Sequence, residues 1–341
     1  MSDPGANHPG TDLPEANGRK AGVSEGAADP PGLDLGRLAD HLCEAGLVRG
    51  PLSAEMITGG KSNLTYVVRD GDATFVVRRP PLGHVLATAH DMSREYRVMS
   101  ALQDTPVPVP RTFHLCQDAD VIGAPFYVME YVEGGQPPID PALAHQLVDV
   151  LAALHSIAPG SVGLGDFGRP DGFLERQVSR WKRQLDASRS REVTGIDELF
   201  ARLSQSVPRS GEPAIVHGDF KLGNTLVADG RVKAVLDWEM STLGDPLTDL
   251  ALFLLYGDFN QLDSDNAGES PPADELAAHY AEASGRDISR VGWYIGLACF
   301  KLAVIAEGIH FRFTQGLTVG EGFAEVGEQV APLVARGLEE V

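Results

Sequence analysis

The sequence predicts an α+β protein that is divided into two lobes or two domains. Its 341 residues exceed the usual size of one compact unit. Strand-like runs of apolar residues occur at Met56–Val68, Thr74–Arg79 and Phe126–Val132. Apolar residues at helical spacing become extensive from Asp140 onward. We therefore expect strands mainly in the first part of the chain and helices mainly in the second.

Composition and charge exclude several classes of protein. Hydrophobic residues make up 43% and charged residues 22% of the chain, which is typical of a soluble globular protein. The net charge of −20 argues against a nucleic-acid partner, because a phosphate backbone attracts positive charge. No uninterrupted apolar run approaches the roughly 18 residues needed to span a bilayer, and the N-terminus has no apolar signal core. We therefore expect a cytoplasmic protein without a membrane partner.

A predicted hairpin brings two polar side chains together beyond the middle of the chain. Thr225–Val227 and Val232–Leu236 have the pattern of strands, and Asp229–Gly230 between them is a pair favoured in tight turns. Folding this hairpin places Asn224 at its start beside Asp237 at its end. Amide and carboxylate oxygens are hard ligands that suit Mg²⁺. The pattern therefore predicts a magnesium site formed by Asn224 and Asp237.

A third polar side chain precedes the hairpin. Asp219 lies five residues before Asn224, after a short buried strand that ends at Ile215 and Val216. A separate carboxylate in this position can accept the proton of an attacking hydroxyl group. Together with the two metal ligands, Asp219 indicates phosphoryl transfer. The alternative is a hairpin with solvated polar ends.

These residues resemble a known family. His217–Asn224 (HGDFKLGN) and Leu236–Glu239 (LDWE) are similar to the catalytic and metal segments of the aminoglycoside phosphotransferase/choline kinase-like family. The protein-kinase loop reads H-R-D-x-x-x-x-N, and Gly218 stands at its arginine. The resemblance implies a bilobed protein-kinase-like fold, with a β-sheet N-lobe, a mainly helical C-lobe and ATP with Mg²⁺ between them. It also implies that Lys221 neutralises the γ-phosphate; a solvated surface charge is the alternative.

A glycine-rich turn between two strands is predicted to bind the nucleotide phosphates. Its candidate residues are Gly59, Gly60, Ser62 and Asn63. Glycine lets backbone N–H groups approach phosphate oxygens closely. The letters GKS resemble a Walker A loop, but that motif needs a glycine where the sequence has Glu55. We therefore predict a hairpin loop over the triphosphate, as in the resembled family, with an ordinary hairpin as the alternative.

Arg78 occupies the position of a lysine that is central to protein kinases. In kinases a lysine on the third strand pairs with the α- and β-phosphates and with a glutamate on the following helix. This sequence has Arg78 there, followed by Arg79, and arginine also binds phosphate, as a rigid bidentate donor. Glu95 begins a helix with Val98 and Leu102 on its apolar side, and it is the predicted partner of Arg78. An exposed helix-face glutamate is the alternative.

The strand FYVME runs into a segment that resembles the kinase hinge. The resemblance implies that main-chain groups at Glu130 and Val132 bind the adenine edge. We place the division between the lobes here, with the N-lobe at 33–132 and the C-lobe at 133–341. Residues 1–32 are rich in Gly, Pro and polar residues without periodicity, and they are predicted to form a disordered tail.

Other motifs are predicted to be structural. Gly163–Gly168 (GLGDFG) matches G-x-G-x-x-G and contains the kinase Asp-Phe-Gly triplet, but it follows a helix and precedes the catalytic loop. Asp140-Pro141 is a helix start, and His155 at the end of that helix is expected to be a satisfied structural histidine. Asp249 is expected to brace the catalytic loop by hydrogen bonds. The acidic segment Gly257–Glu275 is predicted to be a mobile loop.

Three interpretations of the function remain open. Five residues resemble a subgroup of this family whose members occur alone or fused to acyl-CoA dehydrogenases. They are Gln177, Arg180, Trp181, Lys301 and Arg312. This resemblance implies that the acceptor is a hydroxyacyl-CoA or a related small hydroxyl metabolite, and that Lys301 and Arg312 contact its anionic group. The alternative is that these two side chains only snorkel, with apolar stems buried and charged ends in solvent. Thr112–Val341 contains 34 acidic and 17 basic residues, which favours instead a cationic aminoglycoside, with a solvated acidic surface that keeps the protein soluble as the alternative. Arg78 in place of lysine prompts the third interpretation, a nucleotide-binding regulatory module with little turnover.

Overall fold

The structure is a computed structural model that describes residues 29–57, 63–83, 91–263, 268–317, 323 and 325–341. Its strands are β1 (Ser53–Met56), β2 (Leu64–Asp70), β3 (Ala73–Arg79), β4 (Thr112–Cys116), β5 (Phe126–Glu130), β6 (Ala214–Val216), β7 (Thr225–Ala228), β8 (Arg231–Val235) and β9 (Thr242–Gly244). Its helices are α1 (Leu35–Glu44), α2 (Met92–Leu102), α3 (Pro141–Ser156), α4 (Phe173–Ser188), α5 (Ile196–Gln205), α6 (Leu247–Asp263), α7 (Ala273–Ser284), α8 (Val291–Thr314) and α9 (Val330–Glu340). The α+β prediction is confirmed. The exact division at residues 132 and 133 stays a prediction.

The main sheet has five antiparallel strands in the order β1-β2-β3-β5-β4. Alternate side chains of a strand point to opposite faces of the sheet. Tyr66 and Val128 lie in one core cluster with Leu38 of α1. Tyr127 and Met129 belong to the larger core, which includes the apolar side of α2. The sheet is therefore covered on both faces.

The same alternation separates the neighbouring residues Arg78 and Arg79. Arg79 is buried, and its Nη1 donates hydrogen bonds to Ile122 O (2.8 Å) and to Gly32 O. The Tyr66 hydroxyl donates to Pro31 O at 2.6 Å. Pro31 and Gly32, which the sequence includes in the predicted disordered tail 1–32, thus lie against the sheet because buried donors satisfy their carbonyl groups. Residues 1–28 lie outside the described residues.

Helix α3 begins as the sequence predicts. The Asp140 carboxylate accepts a hydrogen bond from Leu143 N at 2.7 Å, which caps the first turn. Near the other end of the helix, His155 is 1% exposed, and its Nδ1 lies 2.8 Å from the Tyr280 hydroxyl oxygen. The prediction of a structural histidine is therefore confirmed.

Two short antiparallel strand pairs position the predicted catalytic residues. Strand β6 pairs with β9, and β7 pairs with β8 in the hairpin that the sequence predicts. Asp229 and Gly230 at its turn have φ angles of 52° and 66°, as this kind of tight turn requires. Gly135 and Val227 exchange backbone hydrogen bonds of 2.9 and 2.8 Å. The chain leaving the main sheet is therefore anchored to the hairpin.

The helical part differs from the prediction in three places. Helix α6 continues through Gly257 to Asp263 and α7 begins at Ala273, so the predicted loop Gly257–Glu275 is wrong at both of its ends. A helix started by an apolar segment extends readily into polar residues, because adding a residue costs less than nucleation. Helices α5 and α9 were not predicted. The signal for α5 is the helical spacing of its buried Ile196, Leu199 and Leu203.

Helix α8 is long and apolar. By length and composition alone, it is the one helix among the described residues that meets the criteria for a membrane span. A core helix of a globular protein meets the same criteria. Most of the apolar stretch is buried inside the protein, and Cys299, Phe300 and Val304 are 0% exposed. Helix α8 therefore packs as a core helix.

Candidate active site

The catalytic-loop segment follows β6 and turns at Gly218. Gly218 has a φ of +87°, a left-handed conformation that side-chain-bearing residues rarely adopt. A Cβ atom at this position would lie 2.7 Å from Met240 O. An arginine, as in protein kinases, would clash here. The backbone therefore explains why the sequence has glycine at this point.

His217 connects this loop to the end of the β7–β8 hairpin. Its buried ring lies with Nδ1 3.2 Å from Asp219 N and with Nε2 2.9 Å from Leu236 O. Nδ1 must accept and Nε2 must donate, which defines a neutral tautomer. Burial lowers the pKa of His217, so the neutral form is favoured. The His217 ring therefore links the backbone of Asp219 to the backbone of Leu236, the residue before Asp237.

Asp249 holds the same loop from α6. Its Oδ2 accepts a hydrogen bond from His217 N (2.6 Å), and its Oδ1 accepts one from Gly218 N (2.8 Å). Burial opposes the charge of this carboxylate, but hydrogen bonds from His155 and Gly218 bring the pKa of Asp249 below its ordinary value. The predicted bracing role of Asp249 is confirmed.

Asp219 is surrounded by hydrogen-bond donors. Lys221 Nζ (2.7 Å) and Asn224 Nδ2 (2.9 Å) donate to its Oδ2, and the Tyr256 hydroxyl donates to its Oδ1 at 2.8 Å. Burial raises the pKa of Asp219, but the charge of Lys221 and these hydrogen bonds outweigh that effect and lower it. Asp219 is therefore ionised at neutral pH and can accept a hydrogen bond from a substrate hydroxyl group.

Sequence reasoning missed Tyr256. It lies seven residues after Asp249 in α6, and two helical turns place both side chains on the same side of the helix. Burial, together with the negative charge of Asp219, raises the pKa of the Tyr256 hydroxyl, which keeps it a donor. The i, i+7 spacing from a loop-bracing aspartate is the signal that identifies this residue.

Asn224 and Asp237 are the predicted metal ligands, and the hairpin brings their backbones together through a hydrogen bond from Leu236 N to Asn224 O (2.8 Å). Asn224 Nδ2 donates to Asp219, so its amide oxygen is the atom left for a cation. Asp237 Oδ1 accepts from Arg78 Nη2, whereas Oδ2 accepts no hydrogen bond within the described part of the chain. An amide oxygen and a carboxylate oxygen are donors that suit Mg²⁺. The donor set therefore fits a magnesium ion.

Arg78 and Glu95 meet as the sequence predicts. Arg78 Nε lies 3.2 Å from Glu95 Oε2, and the two side chains are 13% and 1% exposed. The Nε–H group is not aimed at the carboxylate, so this contact is an ion pair and not a hydrogen bond. Glu95 also accepts hydrogen bonds of 3.0 Å from the Tyr127 hydroxyl and from Asn63 Nδ2. The guanidinium is thus held between α2 and the hairpin.

The burial of this network changes its protonation. Burial raises the pKa of Glu95 to about 7, although the charge of Arg78 and the hydrogen bond from Tyr127 work in the other direction. Burial opposes the charge of Arg78, but its anionic neighbours Glu95 and Asp237 contribute to a net rise in the pKa of Arg78. The site therefore contains a permanently charged arginine beside a carboxyl group that titrates near neutral pH.

The other residues predicted to contact the nucleotide belong to the glycine-rich segment and to the end of strand β5 and the segment after it. Three of the candidates, Gly59, Gly60 and Ser62, lie outside the described residues. Asn63 is buried, and its side chain donates to Glu95 and to Glu239 Oε2 (3.2 Å). Glu130 N donates to Arg111 O (2.8 Å), and Val132 is half-buried in the segment after β5. The nucleotide-binding roles of these residues, like those of Arg78 and Glu95, stay predictions.

A cavity of about 570 Å³ adjoins the catalytic loop, and Gly218 and Trp181 are among the residues that line it. Five cationic side chains lie in its wall: Arg94, Arg169, Arg176, Arg180 and Lys301. The acidic residues of the wall are Glu239 and Asp249. The wall therefore has a local excess of positive charge in a chain whose net charge is −20.

Only one of the two α8 cations singled out in the sequence reaches the cavity. Lys301 Nζ donates to Gly218 O at 2.9 Å and lies 5.8 Å from the centroid of the Trp181 ring. Burial lowers the pKa of Lys301, while the charge of Asp219 works in the other direction. Arg312 is exposed and is not part of the cavity wall. Lys301 thus supports the catalytic loop directly.

Comparison with solved structures agrees with this architecture. A protein of Ralstonia eutropha, assigned as a candidate aminoglycoside phosphotransferase, is 31% identical with a TM-score of 0.80, covering 90% of this chain and 98% of that one. A thermostable mutant of aminoglycoside phosphotransferase APH(4)-Ia, solved in a ternary complex with AMP-PNP and hygromycin B, is 14% identical with a TM-score of 0.60. It covers 88% of this chain and 98% of its own, and at that identity it shows the fold alone.

Sequence comparison gives the family. Acyl-CoA dehydrogenase family member 11 of Gallus gallus is 35% identical over 336 residues, which are 90% of this chain and 43% of that protein. The chain spans less than half the length of the curated relatives it matches. A model of the phosphotransferase enzyme family matches residues 53–294. The chain therefore belongs to the phosphotransferase enzyme family, and it has the bilobed protein-kinase-like fold.

Proposed function

We propose that this protein transfers the γ-phosphate of ATP to a hydroxyl group of an anionic small molecule, with a hydroxyacyl-CoA or a related metabolite as the favoured acceptor. The charge of the cavity beside the catalytic loop carries this proposal. Five cationic and two acidic side chains line it, so its wall carries an excess of positive charge. Positive charge concentrated in a cleft attracts anionic ligands. An acceptor with phosphate or carboxylate groups therefore fits this wall.

The donor is proposed to be ATP with Mg²⁺. Asn224 and Asp237 would hold the metal ion, which supplies positive charge to the phosphate oxygens when bound. Arg78 offers a buried, permanently charged guanidinium beside Asp237, and guanidinium groups bind phosphate in a bidentate manner. The complex of APH(4)-Ia with AMP-PNP shows that this fold accommodates an adenine nucleotide in that protein.

The proposed reaction is a direct displacement. The acceptor oxygen forms a bond to the γ-phosphorus, and the bond between this phosphorus and the β–γ bridging oxygen breaks, so that ADP leaves with the electron pair. The hydroxyl proton passes to Asp219 and then to solvent. Since the pKa of Asp219 is lowered, its main contribution is to orient the hydroxyl group, and proton transfer follows late in a loose transition state. Lys221 would neutralise charge on the γ-phosphate.

An aminoglycoside kinase is the alternative that the acidic surface and the assignment of the Ralstonia eutropha relative favour. A cationic aminoglycoside would have to approach the arginine-rich wall, which is electrostatically unfavourable. The third interpretation is a regulatory module with little turnover. The ordered hydrogen bonds around Asp219 argue against it, because a module that only binds nucleotide has no need of them.

A panel assay tests the proposal. The full chain is incubated with MgATP and hydroxyacyl-CoA thioesters, the corresponding free hydroxy acids, aminoglycosides, or no acceptor. ADP release and mass spectrometry of the products are measured. We expect a thioester product that is heavier by one phosphoryl group and ADP release that depends on the acceptor. Phosphorylation of aminoglycosides alone, or no transfer to any acceptor, would overturn the proposed function.

A further inference from the structure

The five cationic side chains of the cavity wall differ in their hydrogen-bond partners. Arg94 Nη2 donates to Phe167 O (2.6 Å) and to Ser241 O (3.0 Å). Arg176 donates to two backbone carbonyls of the segment before α4, and Lys301 donates to Gly218 O. These three side chains are structural links, because each cationic group is hydrogen-bonded to backbone oxygens of the protein.

Arg169 and Arg180 are different. Within the described part of the chain their guanidinium groups make no hydrogen bond and no ion pair, although both line the cavity. Arg180 lies with its guanidinium carbon 5.3 Å from the centroid of the Trp181 ring, so an aromatic face supports it from one side. Its N–H donors are left for a ligand.

The electrostatic surroundings of Arg180 point to the same conclusion. Burial is the main cause that lowers the pKa of Lys301, and the positive charge of Arg180 adds to this effect. The two like charges are therefore close enough to repel each other. The negative charges of Asp219 and Asp249 favour the charged form of Lys301, but no carboxylate among the described residues forms an ion pair with Arg169 or Arg180. Guanidinium groups that line a cavity without an ion-pair partner favour binding of an anion.

We propose that Arg180, with Arg169, is the specificity-determining site that binds a phosphate group of the acceptor, away from the hydroxyl group at Asp219. This inference rests on the proposed function and names the residues that recognise its substrate. Planar guanidinium groups bind phosphate oxygens through paired N–H donors. The cavity volume of about 570 Å³ accommodates a small ligand. A phosphate group at Arg180 supplies the ion-pair partner that this side chain lacks among the described residues.

The test compares Arg180→Gln with Arg183→Gln. Arg183 lies on the same helix, is exposed, is not part of the cavity wall and makes no hydrogen bond or ion pair with the described residues. Binding of CoA to the full chain saturated with Mg²⁺ and AMP-PNP is measured by calorimetry. Arg180→Gln should weaken CoA binding by about tenfold or more, because a charge-assisted hydrogen bond is lost. Arg180→Lys, which keeps the charge without the planar fork, should recover part of the affinity.

The kinetic arm uses the thioester acceptor. Arg180→Gln should raise the KM for the acceptor by about tenfold, with a much smaller change in kcat and in the KM for ATP. If Arg180→Gln weakens CoA binding but the unmodified protein phosphorylates no thioester, the binding site is supported and the proposed function is overturned. If Arg180→Gln and Arg183→Gln have the same affinity for CoA and the same KM for the acceptor, Arg180 is not the binding site. In that case the proposed function still stands, provided that the protein phosphorylates the thioester. Absence of CoA binding by the unmodified chain would also overturn this site.

Discussion

Arg78 Nη2 lies 2.7 Å from Asp237 Oδ1, while Arg78 Nε lies 3.2 Å from Glu95 Oε2. One guanidinium thus links strand β3, helix α2 and the end of the β7–β8 hairpin. A planar fork carries its donors on separate nitrogen atoms, so it can serve two carboxylates at once, whereas a lysine offers a single ammonium group. The residue that departs from the protein-kinase pattern is therefore the connection between the main sheet and the predicted metal ligand.

This linkage predicts a stability effect. At about pH 8, where Glu95 is ionised, Arg78→Met should lower the free energy of unfolding by about 3 kcal/mol, because it leaves the buried Glu95 carboxylate without its cation. Arg69→Met is the matched control, since Arg69 forms an exposed ion pair of 3.6 Å with Glu55 in the same sheet. The control should lose no more than about 0.5 kcal/mol. Urea denaturation measures both, and equal small losses would contradict the role of Arg78.

The protonation of Glu95 predicts a pH dependence of stability. Its pKa is about 7 in the folded protein, above the ordinary value of 4.5, so the folded state binds this proton more tightly than the unfolded state. The stabilisation is fully present below pH 4.5 and is lost as the pH rises through 7. The loss should amount to roughly 3 kcal/mol.

Glu95→Gln isolates this contribution, because the amide cannot titrate. Chemical denaturation of both proteins between about pH 4 and about pH 8 gives the difference in their unfolding free energies. That difference should shift in favour of the variant as the pH rises. A difference that stays constant over the whole range would show that Glu95 does not titrate as described.

Tyr256 is predicted to tune Asp219. Tyr256→Phe removes the 2.8 Å donor to Asp219 Oδ1, and losing a hydrogen bond to the charged form raises the pKa of this carboxyl group. The acidic limb of the kcat/KM profile should therefore move to higher pH, and the rate should fall by up to about tenfold. Tyr96→Phe is the control, because the Tyr96 hydroxyl makes no hydrogen bond to the described residues. An unchanged acidic limb in Tyr256→Phe would exclude this role.

Lys301 is predicted to be a positioning residue. Lys301→Met leaves Gly218 O without its 2.9 Å donor and removes a positive charge near Asp219. We expect kcat to fall by about tenfold while the KM for ATP stays within about twofold. Lys233→Met is the control, since Lys233 lies on β8 and is only loosely paired with Asp229 at 3.8 Å. If kcat is retained in Lys301→Met, the contact to Gly218 has no part in the reaction.

The parts of the site that sequence reasoning predicted are those carried by short stretches of chain. Asp219, Asn224 and Asp237 lie within 19 residues of one another, and the Asp229–Gly230 turn folds that stretch back on itself. Asp249 follows in the next helix. Local turn chemistry and strand spacing therefore bring these side chains together without knowledge of the rest of the fold.

The cationic cavity, which sequence reasoning did not predict, is built from distant segments. Arg94 and Lys301 are separated by more than two hundred residues, yet both line one cavity. Helical spacing identifies the faces of α2, α4 and α8 but not which of those faces meet. Net charge does not give the sign of the cavity wall for a related reason, because the acidic residues of Thr112–Val341 dominate the count while the wall collects cations. Packing between helices decides such features, and a single sequence does not encode it locally.

Asp219→Asn tests the central claim most directly, because it removes the charge and keeps the size of the side chain. Phosphoryl transfer to the best acceptor of the panel is measured together with MgATP binding by calorimetry. We predict a fall in kcat of about a thousandfold with a Kd for MgATP that changes by less than about threefold. Turnover within about tenfold of the unmodified protein would contradict the assignment of Asp219 as the acceptor-orienting carboxylate.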